Sequence, residues 1–332
     1  MIRIKMSIIA LLTVEQNCAL LIVGGSIIMR IYTHSTCIQH KVPEGHSEQP
    51  DRLIHLLAHL DHTGISREIP YHQATPIHQE QALKVHDLEL YQELERLTPK
   101  QGLVPADPDT WVSPQSQKAA MLAAGAVQDA TTAIILGEDN RAFCAVRPPG
   151  HHAERNAMMG FCLFNSVAIS AALALEYESV SRVAILDFDV HHGNGTVDIF
   201  KDDPRVLVCS SFQDPLYPNR YFDLERPHII NTPLKAGSNS NQFRSAISNS
   251  WWPAIEAHKP DLVFVSAGFD AHELDPLADI NLTENDYSWI TQEIVRYANQ
   301  YAKGRIISAL EGGYHLEALA ASAHAHIEEL CS

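Results

Sequence analysis

Val183-Ala-Ile-Leu-Asp-Phe-Asp-Val-His-His-Gly-Asn-Gly-Thr196 is the stretch on which the reading of this chain turns. It opens as an unbroken apolar run, the pattern of a strand buried on both faces of a parallel sheet. Asp187, Asp189 and His191 then follow at intervals of two. Side chains alternate along an extended chain, so these three point the same way, and two carboxylates converge with one imidazole. Such a cluster calls for a positive charge. Gly193 and Gly195 let the chain turn sharply after the strand, which puts the cluster at the strand's carboxyl end, where open α/β sheets carry their sites.

Outward from this stretch, strand-like and helix-like segments alternate, as in βα units around a mostly parallel sheet. Strands are expected over residues 30–33, 67–70, 142–146, 183–188, 206–210, 262–266 and 306–310. Helices are expected over 50–60, 161–177, 241–258, 284–302 with Thr283 as N-cap, and 315–330. Ser113-Pro114 reads as an N-cap followed by proline at the first helical position, opening an Ala-rich helix to Leu136. No repeat or linker interrupts the run. The expectation is one α/β domain over residues 29–332, a mostly parallel central sheet flanked by helices on both faces.

Residues 1–28 read as an apolar N-terminal extension. A basic start, Met1-Ile-Arg-Ile-Lys5, precedes apolar segments at 7–14 and 18–29, separated by Glu15-Gln16-Asn17. Neither segment reaches the roughly 18 to 20 apolar residues that span a bilayer, so no membrane span is expected. No clear small-residue cleavage site follows. An upstream start codon is the preferred explanation, with a signal-like or membrane-associated segment as the alternative.

The chain carries 24 Lys plus Arg against 40 Asp plus Glu, a net charge of -16. That balance argues against nucleic acid as a direct partner and suits a cationic substrate or partner. The cysteines at 18, 37, 144, 162, 209 and 331 form no CxxC pair. Cys144, Cys162 and Cys209 fall in apolar strands or helices and read as reduced core residues, so a cytoplasmic location is expected.

Three further segments fall just beyond strand ends: Arg147-Pro-Pro-Gly-His-His152, Ser266-Ala-Gly-Phe-Asp-Ala-His272 and Glu311-Gly-Gly-Tyr314. Carboxyl ends of parallel strands share one edge, so all four segments should converge. Asp270 then offers a third ligand beside Asp189 and His191, leaving a coordination position for water and a substrate carbonyl. His151 and His152 offer a base and an acid. Tyr314 offers a neutral hydrogen-bond donor to a developing oxyanion.

Together LDFDVHHGNGT, RPPGHHAE with GFCLFN, SAGFDAHELDP and EGGY resemble the arginase/deacetylase superfamily. The likeness is to the zinc-dependent histone deacetylase family in its class II form and to the related bacterial acetylpolyamine amidohydrolases. It runs in order from about His34 to Glu317 and includes a first loop, Thr33-His-Ser-Thr-Cys-Ile-Gln-His40 and Pro43-Glu-Gly-His-Ser-Glu-Gln-Pro-Asp-Arg52. The resemblance implies metal ligands Asp189, His191 and Asp270 and a Zn²⁺ ion, although two oxygen ligands and one nitrogen also suit Fe²⁺ or Mn²⁺. It implies His152 as general base and then acid, His151 as its electrostatic partner oriented by Asp187, and Tyr314 as oxyanion donor. Asn194, near His192, stands where some members have Asp, which agrees with class II and makes the neighbouring imidazole less basic.

For substrate, the resemblance implies a tunnel between Phe161 and Tyr217, an acetyl pocket lined by Gly160, and Asp109 accepting from the substrate backbone. Leu277 stands where polyamine deacetylases can carry an acidic gatekeeper, so an apolar residue there leans toward acyl-lysine. A structural K⁺ is implied at Asp187 and Ser210 with carbonyls of Asp189, His191 and Ser211. The leading expectation is a metal-dependent amidohydrolase that deacetylates lysine side chains of proteins or peptides. The alternative is an acetylpolyamine or other small acetylamine deacetylase; a silent binding module and an arginase-like ureohydrolase fit less well.

Overall fold

In the computed structural model, which describes residues 28–332, eight strands form one sheet. They are β1 (Met29–Thr33), β2 (Tyr71–Gln73), β3 (Arg141–Cys144), β4 (Val183–Asp187), β5 (Val206–Gln213), β6 (Ile229–Leu234), β7 (Leu262–Ala267) and β8 (Ile306–Leu310). Their order across the sheet is β2-β1-β3-β8-β7-β4-β5-β6, and every neighbouring pair is parallel. Every residue of β4, β7 and β8 is buried, so both faces of the sheet centre are covered, which is why these strands are almost wholly apolar. The expectations for residues 1–27, Cys18 included, lie outside the described residues.

The longer helices are α1 (Asp51–Thr63), α2 (Leu88–Leu97), α3 (Ser116–Leu136), α4 (Ser166–Ala174), α5 (Asn194–Phe200), α6 (Ser240–His258), α7 (Glu284–Tyr301) and α8 (Leu316–Leu330). By length and composition α3 could cross a membrane, yet 67% of its apolar window is buried inside the protein. Its small residues explain the burial: Ala119, Ala120, Ala123, Ala124 and Ala126 allow close packing on the sheet.

Connections fix where a site can form. From β4 the chain moves outward to β5 and β6, then returns to β7 on the other side of β4 and goes on to β8. The carboxyl ends of β4 and β7 therefore flank the point where the winding reverses, and a crevice opens there.

Several boundaries differ from the sequence expectations. Residues 67–70 do not form a strand: Gly64, at φ 93°, ends α1 and leads into a helical turn, Ile65–Glu68, and the strand follows at Tyr71, paired with Ile31. The helix expected from Phe161 starts at Ser166, where the Asn165 side chain accepts the Ala168 amide at 2.9 Å. The segment before it is a loop closed by backbone bonds between Met159 and Cys162, so Cys162 is buried in a loop rather than in a strand or helix. Nor is Ser113 the cap of α3, which begins at Ser116; instead the Ser113 amide donates to the Ser116 hydroxyl at 2.6 Å. Thr283 does cap α7.

Candidate active site and metal centre

The chain beyond β4 is pinned by its own acids. Asp187 Oδ1 accepts the Asp189 amide at 3.2 Å, and Asp189 Oδ1 accepts the His191 amide at 2.9 Å. From the end of β7, Asp270 Oδ1 accepts the Val190 amide at 2.9 Å, tying the two segments together. Asp189, His191 and Asp270 thus gather, all buried, with one donor atom from each within 4.8 Å of the others. His191 Nδ1 lies 3.1 Å from both Asp189 Oδ1 and Asp270 Oδ2.

One ring nitrogen cannot satisfy two carboxylates, and two buried anions side by side repel. A cation among the three donors resolves both conflicts. Room for the carboxylates is kept by glycine. A Cβ on Gly312 would meet Asp270 Oδ2 at 2.2 Å and Asp189 Oδ2 at 2.5 Å, and one on Gly268 would meet Asp189 Oδ2 at 2.1 Å. The Gly312 amide also donates to Asp189 Oδ2 at 2.8 Å. Two carboxylates and an imidazole suit a divalent metal.

Two imidazoles stand beside this triad, their ring centroids 4.0 Å apart. His151 Nδ1 is 2.9 Å from Asp187 Oδ2, whereas His152 Nδ1 is 2.6 Å from Asn194 Oδ1. Burial disfavours the charged form of His151, but the Asp189 and Asp187 carboxylates outweigh it and hold its pKa well above the usual value. Burial, then the charges of His151 and His191, hold His152 well below that value. Environments that push a neighbouring pair apart in this way assign one member to carry a proton and the other to accept one.

Tyr314 is fixed from beneath. Its amide donates to Asp275 Oδ2 at 2.7 Å, and the Arg52 guanidinium lies 4.8 Å from its ring centroid. Arg52 donates to the carbonyls of Gly313 and Glu311, each at 2.6 Å, and to Glu48 at 3.0 Å. Burial raises the Tyr314 pKa; Arg52 opposes, but Asp270 and Asp189 add to the rise, so the phenol stays neutral well above its usual range. Glu311 accepts the amides of Gly150 at 2.6 Å and His151 at 3.1 Å, joining the β8 end to the imidazole loop.

Phe161 lies edge-on to Tyr314 at 5.8 Å and to His46 at 4.8 Å. Tyr217 lies edge-on to His152 at 5.2 Å and His191 at 6.4 Å, so the two aromatics flank different members of the set. Gly160 abuts His152: a Cβ there would lie 2.4 Å from its Cδ2. The Thr110 hydroxyl accepts the Phe161 amide and donates to Asp109, whose carboxyl is pushed up to about 6 by burial and by Asp107. The Leu277 amide donates to Asp275 at 3.1 Å. Ser210 pairs with Asp187 across the sheet, its hydroxyl accepts the Gly193 amide at 3.2 Å, and Ser211 is buried next to it. His192 faces away, with Nε2 on Asn231 at 2.9 Å and its ring against Phe212.

Sequence reasoning gave no role to Asp275, Glu311, Glu48, Arg52 or Glu154. All five sit inside the quoted motifs or the first loop, but their contacts reach residues far away in the chain. Nothing local signals those partners.

The parallel sheet thus opens, at its reversal point, on an Asp-His-Asp triad with paired imidazoles, a set of groups suited to metal-assisted hydrolysis. Residues 46–330 match the family model for the histone deacetylase domain. The chain is 38% identical over 291 residues to an uncharacterized protein of Synechocystis sp., covering 86% of this chain and 93% of that one. It is 33% identical over 300 residues to the histone deacetylase-like amidohydrolase of Pseudomonas aeruginosa, covering 88% and 79%. The crystal structure of the HDA15 HD domain superposes with a TM-score of 0.85 at 31% identity, covering 92% of this chain and 89% of that one. This chain belongs to the histone deacetylase family.

Proposed function

We propose that this chain is a zinc-dependent deacetylase acting on acetyl-lysine side chains of proteins or peptides. One observation carries the reading: Asp189, His191 and Asp270, drawn from two strand ends, bring their donors within 4.8 Å beside a proton-accepting His152. These three residues would hold the metal. When bound, it supplies Lewis acidity to a carbonyl oxygen and lets water lose a proton near neutral pH. Two oxygens and one nitrogen also suit Fe²⁺ or Mn²⁺.

The chain's own groups then divide the work. His152 donates from Nδ1 to Asn194, so its Nε2 takes a proton from the attacking water. As water oxygen bonds to the acetyl carbon, the Tyr314 hydroxyl donates to the carbonyl oxygen, where negative charge grows. The carbon-nitrogen bond breaks, and His152 returns its proton to the leaving amine, releasing acetate and lysine. His151, whose Nδ1 is held by the Asp187 carboxylate, would present a polarised imidazole next to the developing anion.

Phe161 and Tyr217 would clasp the lysine stem by apolar burial, at about 25 cal/mol per Å². Gly160 would leave space for the acetyl methyl, and Asp109 would accept from the substrate backbone. Apolar Leu277 favours acyl-lysine over a free polyamine. Asp187 and Ser210, with the carbonyls of Asp189, His191 and Ser211, would hold K⁺. Turnover of an acetyl-lysine peptide against N-acetylputrescine tests the substrate class. A kcat/KM at least tenfold higher for the peptide is expected; the reverse order would assign the chain to small acetylamines.

A further inference from the structure

The imidazole that accepts the proton is backed by a neutral amide, and an acid stands behind that amide. Asn194 Oδ1 accepts from His152 Nδ1 at 2.6 Å, and Asn194 Nδ2 donates to Glu154 Oε1 at 2.7 Å. Glu154 is 2% exposed, and its other oxygen meets Arg220, a half-exposed guanidinium, at 2.9 Å. Arg220 and Glu154 line a cavity of about 850 Å³. Guanidinium, carboxylate, amide and imidazole thus form one line from that cavity to the reacting centre.

Each member restricts the next. An ionised carboxylate only accepts hydrogen bonds, whereas an amide accepts at oxygen and donates at nitrogen. Facing Glu154, Asn194 must present its NH₂ outward, which leaves its oxygen toward His152. His152 must then carry its proton on Nδ1, and Nε2 keeps its lone pair. Among the described residues, only two long contacts would otherwise restrain the Asn194 NH₂, the His152 carbonyl and Met159 Sδ, both at 3.4 Å. A flipped amide would set NH₂ against Nδ1 and move the ring proton to Nε2, where the imidazole accepts nothing from water.

We propose that Glu154 is a positioning residue: it orients the Asn194 amide and, through it, selects the His152 tautomer that can act as base. Burial pushes the Glu154 carboxyl up, while Asn194 and Arg220 pull it back, so Arg220 helps keep the acid ionised. The inference rests on the deacetylase reading only for its kinetic consequence; the tautomer is independent of turnover.

The test uses the full chain loaded with Zn²⁺. Ring ¹⁵N shifts of His152 report which nitrogen is protonated, and an acetyl-lysine peptide reports kcat and KM. In wild type the proton is on Nδ1. In Glu154→Gln the side-chain oxygen turns to Arg220 and its NH₂ faces Asn194, so the amide flips. The His152 proton moves to Nε2, and kcat falls about 10- to 100-fold with KM little changed.

Exchanging the two groups, Glu154→Gln with Asn194→Asp, restores both readouts, because the carboxylate now at position 194 accepts from His152 Nδ1 and from the amide now at position 154 together. A merely structural role for Glu154 gives no such rescue. Wild-type kcat with Nδ1 still protonated in E154Q overturns the proposal, as does a folded double variant that stays impaired. Should E154Q not fold, the double variant alone decides. A proton shift in E154Q without any wild-type turnover would sink the deacetylase reading and leave the tautomer control standing.

Discussion

Replacing Gly312 with Ala places a methyl group into the metal centre without replacing a ligand. The added Cβ would sit 2.2 Å from Asp270 Oδ2 and 2.5 Å from Asp189 Oδ2, where real Cβ contacts do not fall under 3.0 Å. Both carboxylates must therefore retreat, by about 0.8 Å and about 0.5 Å respectively. Ligand oxygens bind such metals at about 2.0–2.2 Å, so shifts of this size pull two of three donors off their bond lengths. Metal affinity should fall at least about 100-fold, or about 2.7 kcal/mol. Equilibrium dialysis against buffered free Zn²⁺ gives the affinity directly. Melting supplies a second readout, because a ligand bound only by the native state stabilises it by RT ln(1 + [L]/Kd). Metal at about 100 times the wild-type Kd should raise the wild-type Tm and leave that of Gly312→Ala nearly unmoved. A folded G312A protein that binds one Zn²⁺ with wild-type affinity would refute the geometric reading of the triad.

Tyr314→Phe keeps the ring over Arg52 and removes the hydroxyl; kcat should drop about 10²–10³-fold with KM nearly constant, and a drop under threefold would remove the oxyanion role. Burial, His151 and His191 hold the His152 pKa below 6.5, and a nearby metal cation would act in the same direction. His152 must be neutral to accept a proton, so activity is lost as pH falls through that lowered value. The acid limb of the kcat profile should lie below pH 6.5, and a midpoint above 6.5 contradicts the assignment. Glu48→Gln leaves the buried guanidiniums of Arg52 and Arg147 without their anion and should cost about 3–5 kcal/mol by urea unfolding; a loss under about 1 kcal/mol refutes this. Burial opposes the ionised form of Glu48, but Arg147 and Arg52 outweigh it and lower its pKa, so its contribution is complete above about pH 4.5 and disappears as pH falls through the folded value.

What could be seen in the sequence follows from where each segment sits. Strands β4, β7 and β8 lie in the sheet centre and are apolar almost throughout, so they are legible without context. The strand β6 went unseen because it is an edge strand that carries Asn231, Thr232 and Pro233, which an edge tolerates. The triad was legible because Asp189 and His191 follow directly on β4 and Asp270 directly on β7, although residues 189–191 form a bend rather than the extended chain that the spacing suggested.

Adjacency misleads where geometry alternates. His191 and His192 are neighbours in sequence, yet one meets Asp189 and Asp270 while the other turns to Asn231. Supporting contacts were the least legible. Arg52 bonds Gly313 and Glu311 some 260 positions away, and Glu154 reaches His152 only through Asn194. Such pairs exist only once the sheet has assembled.

The most direct test of the account is acetate release from an acetyl-lysine peptide, measured as the metal-free protein is titrated with Zn²⁺. Turnover should rise in proportion to metal and level off at one ion per chain. A protein that carries one ion per chain and releases no acetate, or that releases acetate equally well without metal, would contradict it.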